Sequence, residues 1–225
     1  NAAGRASAFY SALTRESVLN EVPQPMFKDA TQRLGLNFKH APDRDLQRIR
    51  SKLVTPTGIA GGGVSAGDFD GDGFTDLYFS GDGGGQLWRN VRGEHFEDSS
   101  LAAGLAREGE TRAGYFVDYD NDGDLDLFLT FVFRSNRLFR NEGGGKFLDV
   151  TDSAGVAGGR LVTHEAVWFD FDNDGLLDVY IANFGMWPNG DTPNLTIRNS
   201  SAPPNQFYRQ KVVGGVHVFE EIGAK

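Results

Sequence analysis

The chain has 225 residues, of which 39% are hydrophobic and 24% charged, a balance that fits a globular protein and excludes a disordered chain; no apolar run approaches the ~20 residues of a membrane helix. It has no cysteine and only four histidines, which excludes disulfides and thiolate metal sites and leaves little for a zinc or iron cluster. The formal net charge of -9 is concentrated: thirteen of the 31 acidic residues lie in three short segments, and the rest of the chain carries a small basic excess, so no nucleic-acid partner is expected.

The opening NAAGRASAFYSALTRE lacks an initiator Met and an apolar signal core, so a processed form or a fragment is expected. Residues 1–21 match nothing else in the chain and are read as an N-terminal extension. From residue 22 to residue 225 a repeat governs the sequence, with acidic loops that begin at residues 68, 118 and 170.

Each repeat runs through the same stations. A strand enters the loop (GGGVSAGDF, TRAGYFVDY, THEAVWFDF), and an apolar strand leaves it at Leu77, Leu127 or Val179. A third segment reads GQLWRN at 85–90, NRLFRN at 136–141 and NQFYRQ at 205–210. A fourth reads HFEDSS, KFLDVT and VFEEIG, and a glycine turn follows the first two copies at Gly104 and Gly155. Four short strands rich in aromatic and β-branched residues per ~50 residues describe one propeller blade. The fold expected is all-β: a β-propeller of four-stranded antiparallel blades, with three blades around 61–105, 112–156 and 162–225. A two-sheet sandwich would not need the same acidic loop at the same place in every unit. Residues 26–31 match the fourth segment and predict an orphan strand from a closing blade.

The loops read DFDGDGFTD, DYDNDGDLD and DFDNDGLLD. Carboxylates at positions 1, 3 and 5 converge, and the glycine at position 6 permits the positive φ that lets a chain wrap a cation. Oxygen donors without imidazole or thiolate point to calcium, three ions in all. The expected ligands are Asp68, Asp70, Asp72 and Asp76 in loop 1, Asp118, Asp120, Asp122, Asp124 and Asp126 in loop 2, and Asp170, Asp172, Asp174 and Asp178 in loop 3. Position 7 (Phe74, Asp124, Leu176) varies in chemistry, so its backbone carbonyl is the expected donor. An EF-hand needs Glu at position 12, where Phe79, Leu129 and Ile181 stand, so it is excluded.

With the loops, the RLFRN segment and the KFLDVT segment, the sequence resembles FG-GAP/VCBS-type calcium-binding propeller repeats, and more narrowly the repeat region of ASPIC/UnbV-type and cartilage acidic proteins. The resemblance rests on 27–40, 61–80 and 136–156 and extends from about residue 25 to the C-terminus. It implies a ring of about seven blades in a secreted, periplasmic or cell-surface protein. Three blades cannot close a ring, so further sequence or another subunit of an assembly is expected to complete it.

Other signals carry less. Gly63 to Gly67 matches a G-x-S-x-G nucleophile elbow, but an acidic loop follows where a helix is required. Gly143 to Lys146 resembles a phosphate loop, yet Phe147 stands where Ser or Thr is needed, so a hairpin turn is expected. His164 and Glu165 are adjacent in a strand and are expected on opposite faces. An insertion over 184–204 is a candidate binding loop and contains sequons at Asn194 and Asn199. The functional expectation is a calcium-rigidified module that binds a protein or glycan; the alternative is a propeller enzyme or enzyme subunit acting on polysaccharide.

Overall fold

A computed structural model describes residues 27–39, 62–81, 83–107, 109–183 and 204–223. The first blade is a four-stranded antiparallel sheet of β1 (Val64–Gly67), β2 (Asp76–Phe79), β3 (Gln86–Val91) and β4 (His95–Asp98), in that order. The second comprises β5 (Thr111–Val117), β6 (Asp126–Arg134), β7 (Arg137–Asn141) and β8 (Phe147–Asp149), followed by the single helical turn α1 (Thr151–Ala154). The third comprises β9 (Leu161–Phe169), β10 (Asp178–Asn183), β11 (Gln206–Val213) and β12 (Val216–Glu221). Blades two and three are also joined where the end of β6, beyond its pairing with β5 and β7, pairs with the start of β9 through Val132 and Val162. These antiparallel blades form a partial β-propeller.

The apolar runs make sense once the blades are stacked. Odd and even residues of a strand face opposite sides of its sheet, so a blade sandwiched between two others must be apolar on both. In β6, Leu127, Leu129 and Phe131 pack toward blade one with Phe69, Tyr78 and Leu87, whereas Phe128 packs toward blade three with Val179, Ile181 and Tyr208. The two core clusters are therefore the two gaps between blades. The first strands of neighbouring blades, β1 with β5 and β5 with β9, lie in contact. Gly67 on β1 makes the contact with β5 possible, because a Cβ there would lie 2.8 Å from Cγ of Phe116.

The glycine turns repeat as stitches between blades. The Phe147 N–H donates to the Ala103 carbonyl at 2.9 Å, across from the turn that ends blade one. Phe96 N–H donates to the Leu34 carbonyl at 2.8 Å in the same way, so residues 31–36 hold the place relative to blade one that 100–105 hold relative to blade two. Of the strand expected over 26–31, residue 26 lies outside the described residues, residues 27–30 have no ladder partner among the described residues, and 31–35 form a turn. Strand geometry needs a neighbour to pair with, and Phe27 is 85% exposed where Phe147 and Phe219 are 8% and 7%.

The alternation expected at His164 and Glu165 also fails. β9 bulges there, with Thr163 opposite Asn183 and Glu165 opposite Ala182, so His164 is the extra residue and both side chains are exposed. The other minor signals resolve as expected. Val64 to Gly67 is strand β1, and Gly143 to Lys146 is the β7–β8 hairpin, closed by Glu142 N–H on the Lys146 carbonyl at 2.7 Å. Residues 184–203 and 1–26 lie outside the described residues, and with them the sequons and the N-terminal extension. Among the described residues no helix is long and apolar enough to cross a membrane.

Candidate metal centre

Each acidic loop joins the first and second strands of its blade, so all three occupy equivalent places. The chain reverses there through two left-handed residues. Position 4 has φ of 71°, 58° and 60° at Gly71, Asn121 and Asn173, and position 6 has 89°, 94° and 86° at Gly73, Gly123 and Gly175. Glycine and asparagine adopt that region at least cost, which explains their presence at these positions.

With the backbone so folded, its N–H groups turn inward and orient the carboxylates. At position 1, Asp68, Asp118 and Asp170 each accept on Oδ1 from the position 5 N–H (3.1, 3.1 and 3.2 Å) and on Oδ2 from the position 6 N–H (2.7, 3.1 and 3.0 Å). At position 5, Oδ1 of Asp72, Asp122 and Asp174 accepts from the position 7 N–H at 3.0, 2.9 and 3.0 Å. The position 9 carboxylates are buried. Asp76, Asp126 and Asp178 accept on Oδ2 from the N–H of Phe69, Tyr119 and Phe171 at 3.0, 3.0 and 3.1 Å. Their Oδ1 accepts from the N–H of Asn90, Asn141 and Gln210 on the third strand, at 2.6, 2.8 and 2.7 Å. Position 9 thus brackets the start of its loop to the third strand of its sheet.

Position 3 differs: Oδ1 of Asp70, Asp120 and Asp172 is buried and accepts no hydrogen bond among the described residues. A buried carboxylate oxygen without a donor is costly, and three at the same position form a pattern rather than an accident. In each loop this aspartate belongs to a triad with ligand atoms within 4.8 Å of one another: Asp68, Asp70 and Asp76; Asp118, Asp120 and Asp122; Asp170, Asp172 and Asp178. These triads could hold a metal ion. Of the ligands expected from sequence, Asp72, Asp174, Asp126 and the position 7 residues Phe74, Asp124 and Leu176 lie outside the triads.

Electrostatics follow from this crowding. Burial, which outweighs the two N–H donors, pushes the Asp76 carboxyl up to about 6 and that of Asp126 up to about 7, with the neighbouring aspartates adding to the rise. Burial followed by the Asp122 charge also raises Asp120. Carboxylates this reluctant to ionise suit a site that expects a cation among them.

Two sets of residues beside the loops escaped sequence reasoning. Arg89 contacts Asp70 at 2.5 Å and Asp72 at 2.9 Å, and Arg209 contacts Asp172 at 2.5 Å. The next residue along reaches across the gap between blades: the Asn141 amide donates to the Phe69 carbonyl at 2.7 Å, and the Gln210 amide to the Tyr119 carbonyl at 2.8 Å. The signal was the recurring RN, RN, RQ dipeptide at 89, 140 and 209, visible in the repeat but without a partner until the blades were placed.

Comparison with known proteins agrees with this geometry. No curated protein matches the chain. The family model described as FG-GAP-like repeat matches twice, over residues 68–129 and 118–181, each match running from one acidic loop through the next loop and the start of the strand that leaves it. The chain belongs to the FG-GAP-like repeat family.

Proposed function

We propose that the chain is a calcium-binding propeller module in which the ions serve the fold. The observation that carries this reading is the buried, unpartnered Oδ1 of Asp70, Asp120 and Asp172, one in each loop, amid carboxylates that the backbone has already aimed. Every donor available is a hard oxygen, and a dedicated cage of several carboxylates suits calcium better than magnesium, which keeps much of its water. The proposed ligands are positions 1, 3, 5 and 9 of each loop with the position 7 carbonyl. Asp124 can add its own carboxylate in loop 2.

The same reading makes this a segment of a larger ring. Phe69 and Tyr119, at loop position 2, are 4% and 3% exposed beneath the following blade, whereas Phe171 is 39% exposed, with Phe169 and Tyr180 also exposed around the same Phe207 ring. Such a face fits a further blade, from sequence or from another subunit. An exported setting, where calcium reaches the concentrations that extracellular modules bind, and a protein or glycan ligand at the loops complete the proposal.

Thermal unfolding with chelator and with excess calcium tests the metal. A site filled at a thousandfold over its Kd adds ~4 kcal/mol, so the calcium-loaded chain should melt many degrees higher than the chelated one, and magnesium should reproduce little of the rise. Coincident melts in chelator and in calcium would contradict the proposal.

A further inference from the structure

Three of the four aspartate positions in each loop are held by backbone N–H groups, as described above. Position 3 is the exception, and in loops 1 and 3 an arginine from the third strand grips it. Arg89 forks across the outer oxygens, Nε on Asp70 Oδ2 at 2.5 Å and Nη2 on Asp72 Oδ2 at 2.9 Å. Arg209 places Nη2 on Asp172 Oδ2 at 2.5 Å, 3.7 Å from Asp174 Oδ2, with its guanidinium 5.9 Å from the centre of the Phe171 ring. In both loops the arginine takes Oδ2, while Oδ1 is buried and without a donor among the described residues, as it also is in Asp120 of loop 2. Loop 2 lacks this arrangement. Arg140 is turned to Glu142, with Nε and Nη2 at 2.7 and 2.5 Å from Oε1.

From this contrast we propose that Arg89 and Arg209 are positioning residues: each holds the outer oxygen of the position 3 aspartate and so fixes the orientation in which its inner oxygen faces the cation, an orientation that Asp120 adopts without a clamp, leaving loops 1 and 3 clamped and loop 2 unclamped. The inference rests on the calcium reading given above. At loop 1 a planar guanidinium suits the task because Nε and Nη2 of Arg89 reach two carboxylates in one fixed geometry, which a lysine ammonium does not, whereas Arg209 grips Asp172 through Nη2 alone. Groups that orient a metal ligand from behind govern affinity nearly as strongly as the ligand itself, typically tenfold or more. An opposing effect exists, since a positive charge beside the loop repels the ion. It is screened here, because both arginine side chains are about two-fifths exposed.

The experiment uses the full chain loaded with terbium, with luminescence lifetimes in light and heavy water to count bound waters, and displacement by calcium to measure affinity. The R89M/R209M double variant should lose about tenfold in calcium affinity at two of its sites, and its terbium lifetime should shorten as water replaces the position 3 oxygen. R140M should keep wild-type affinity and lifetime. R89K should leave the loop 1 site weak, because it restores the charge but not the fork. If the double variant does not fold, R89M and R209M singly carry the same prediction for one site each. Wild-type affinity and lifetime in the double variant, tighter binding in it, or full recovery of the loop 1 site in R89K would each overturn the clamp while leaving the calcium reading intact. A wild-type chain that binds no terbium and no calcium would overturn both.

Discussion

Replacing Asp126 with asparagine tests whether position 9 is a bracket of the fold as well as a ligand. Asp126 is fully buried; its Oδ1 takes the Asn141 N–H at 2.8 Å and its Oδ2 the Tyr119 N–H at 3.0 Å. An asparagine of the same shape offers one oxygen, so its amide NH2 must face one of those N–H groups and leave it unpaired, a loss of ~1–3 kcal/mol. The neutral amide also removes the cost of burying a charge, already visible in a carboxyl pushed up to about 7, which places the expected loss near ~1–2 kcal/mol. For a chain of this size that is a fall of roughly 2–8 °C in the melt in the presence of chelator, followed by circular dichroism. In calcium the gap to wild type should widen, since a proposed ligand is lost as well. D122N supplies the contrast: Asp122 is exposed, its side chain's hydrogen bond from the Asp124 N–H at 2.9 Å can pass to the amide oxygen, and loss of its charge relieves repulsion with Asp120, so its chelated melt should not fall below the wild-type value while its calcium response weakens. If D126N melts with the wild type in chelator, the bracket does not exist.

Three further outcomes follow from the same geometry. Gln210 is fully buried and spans to the Tyr119 carbonyl of the preceding blade, so Q210A should lower the urea midpoint by the equivalent of ~1–3 kcal/mol. Gly144 and Gly145 share left-handed backbone, but a Cβ on Gly145 would sit 2.7 Å from Phe69 Cε2 while one on Gly144 meets nothing within 4 Å; G144A should cost ~1–2 kcal/mol in a urea melt and G145A ~1–3 kcal/mol more. Asp76 and Asp126 have pKa values of about 6 and about 7 in the folded chain, both above an unfolded value near 3.8, so the metal-free fold binds their protons more tightly than the unfolded chain does. Their contribution is greatest below about pH 4 and is lost as pH rises through about 6 to 7, so the chelated melt should lose it over that window and the gap to the calcium-loaded melt should widen. Paired melts from pH 5 to 8 read this directly; a gap that narrows as pH rises contradicts it.

What was legible in the residues was local and periodic. The acidic loops, the left-handed positions 4 and 6, and the four strands of each blade follow from spacing, because turn chemistry and alternation act over a few residues. Thus GQLWRN at 85–90 becomes β3 over Gln86–Val91 with little displacement. What was not legible needed contacts between repeats. The pairing of β6 with β9 comes from strands that outrun their blade, and nothing in their composition announces it. The roles of Arg89 and Arg209 depended on which face of the third strand meets the loop, and those of Asn141 and Gln210 on the distance between blades. At 163–165 the plain alternation rule failed because a bulge adds one residue and restarts the count.

The central claim is that each repeat carries one calcium site at the same place in its blade. Isothermal titration of the full chain, stripped with chelator and returned to chelator-free buffer, measures it most directly. Binding of three calcium ions per chain, reduced to two in D70N, D120N or D172N alone, is the predicted result. No calcium heat in the wild type, or an unchanged stoichiometry in all three variants, would contradict the account.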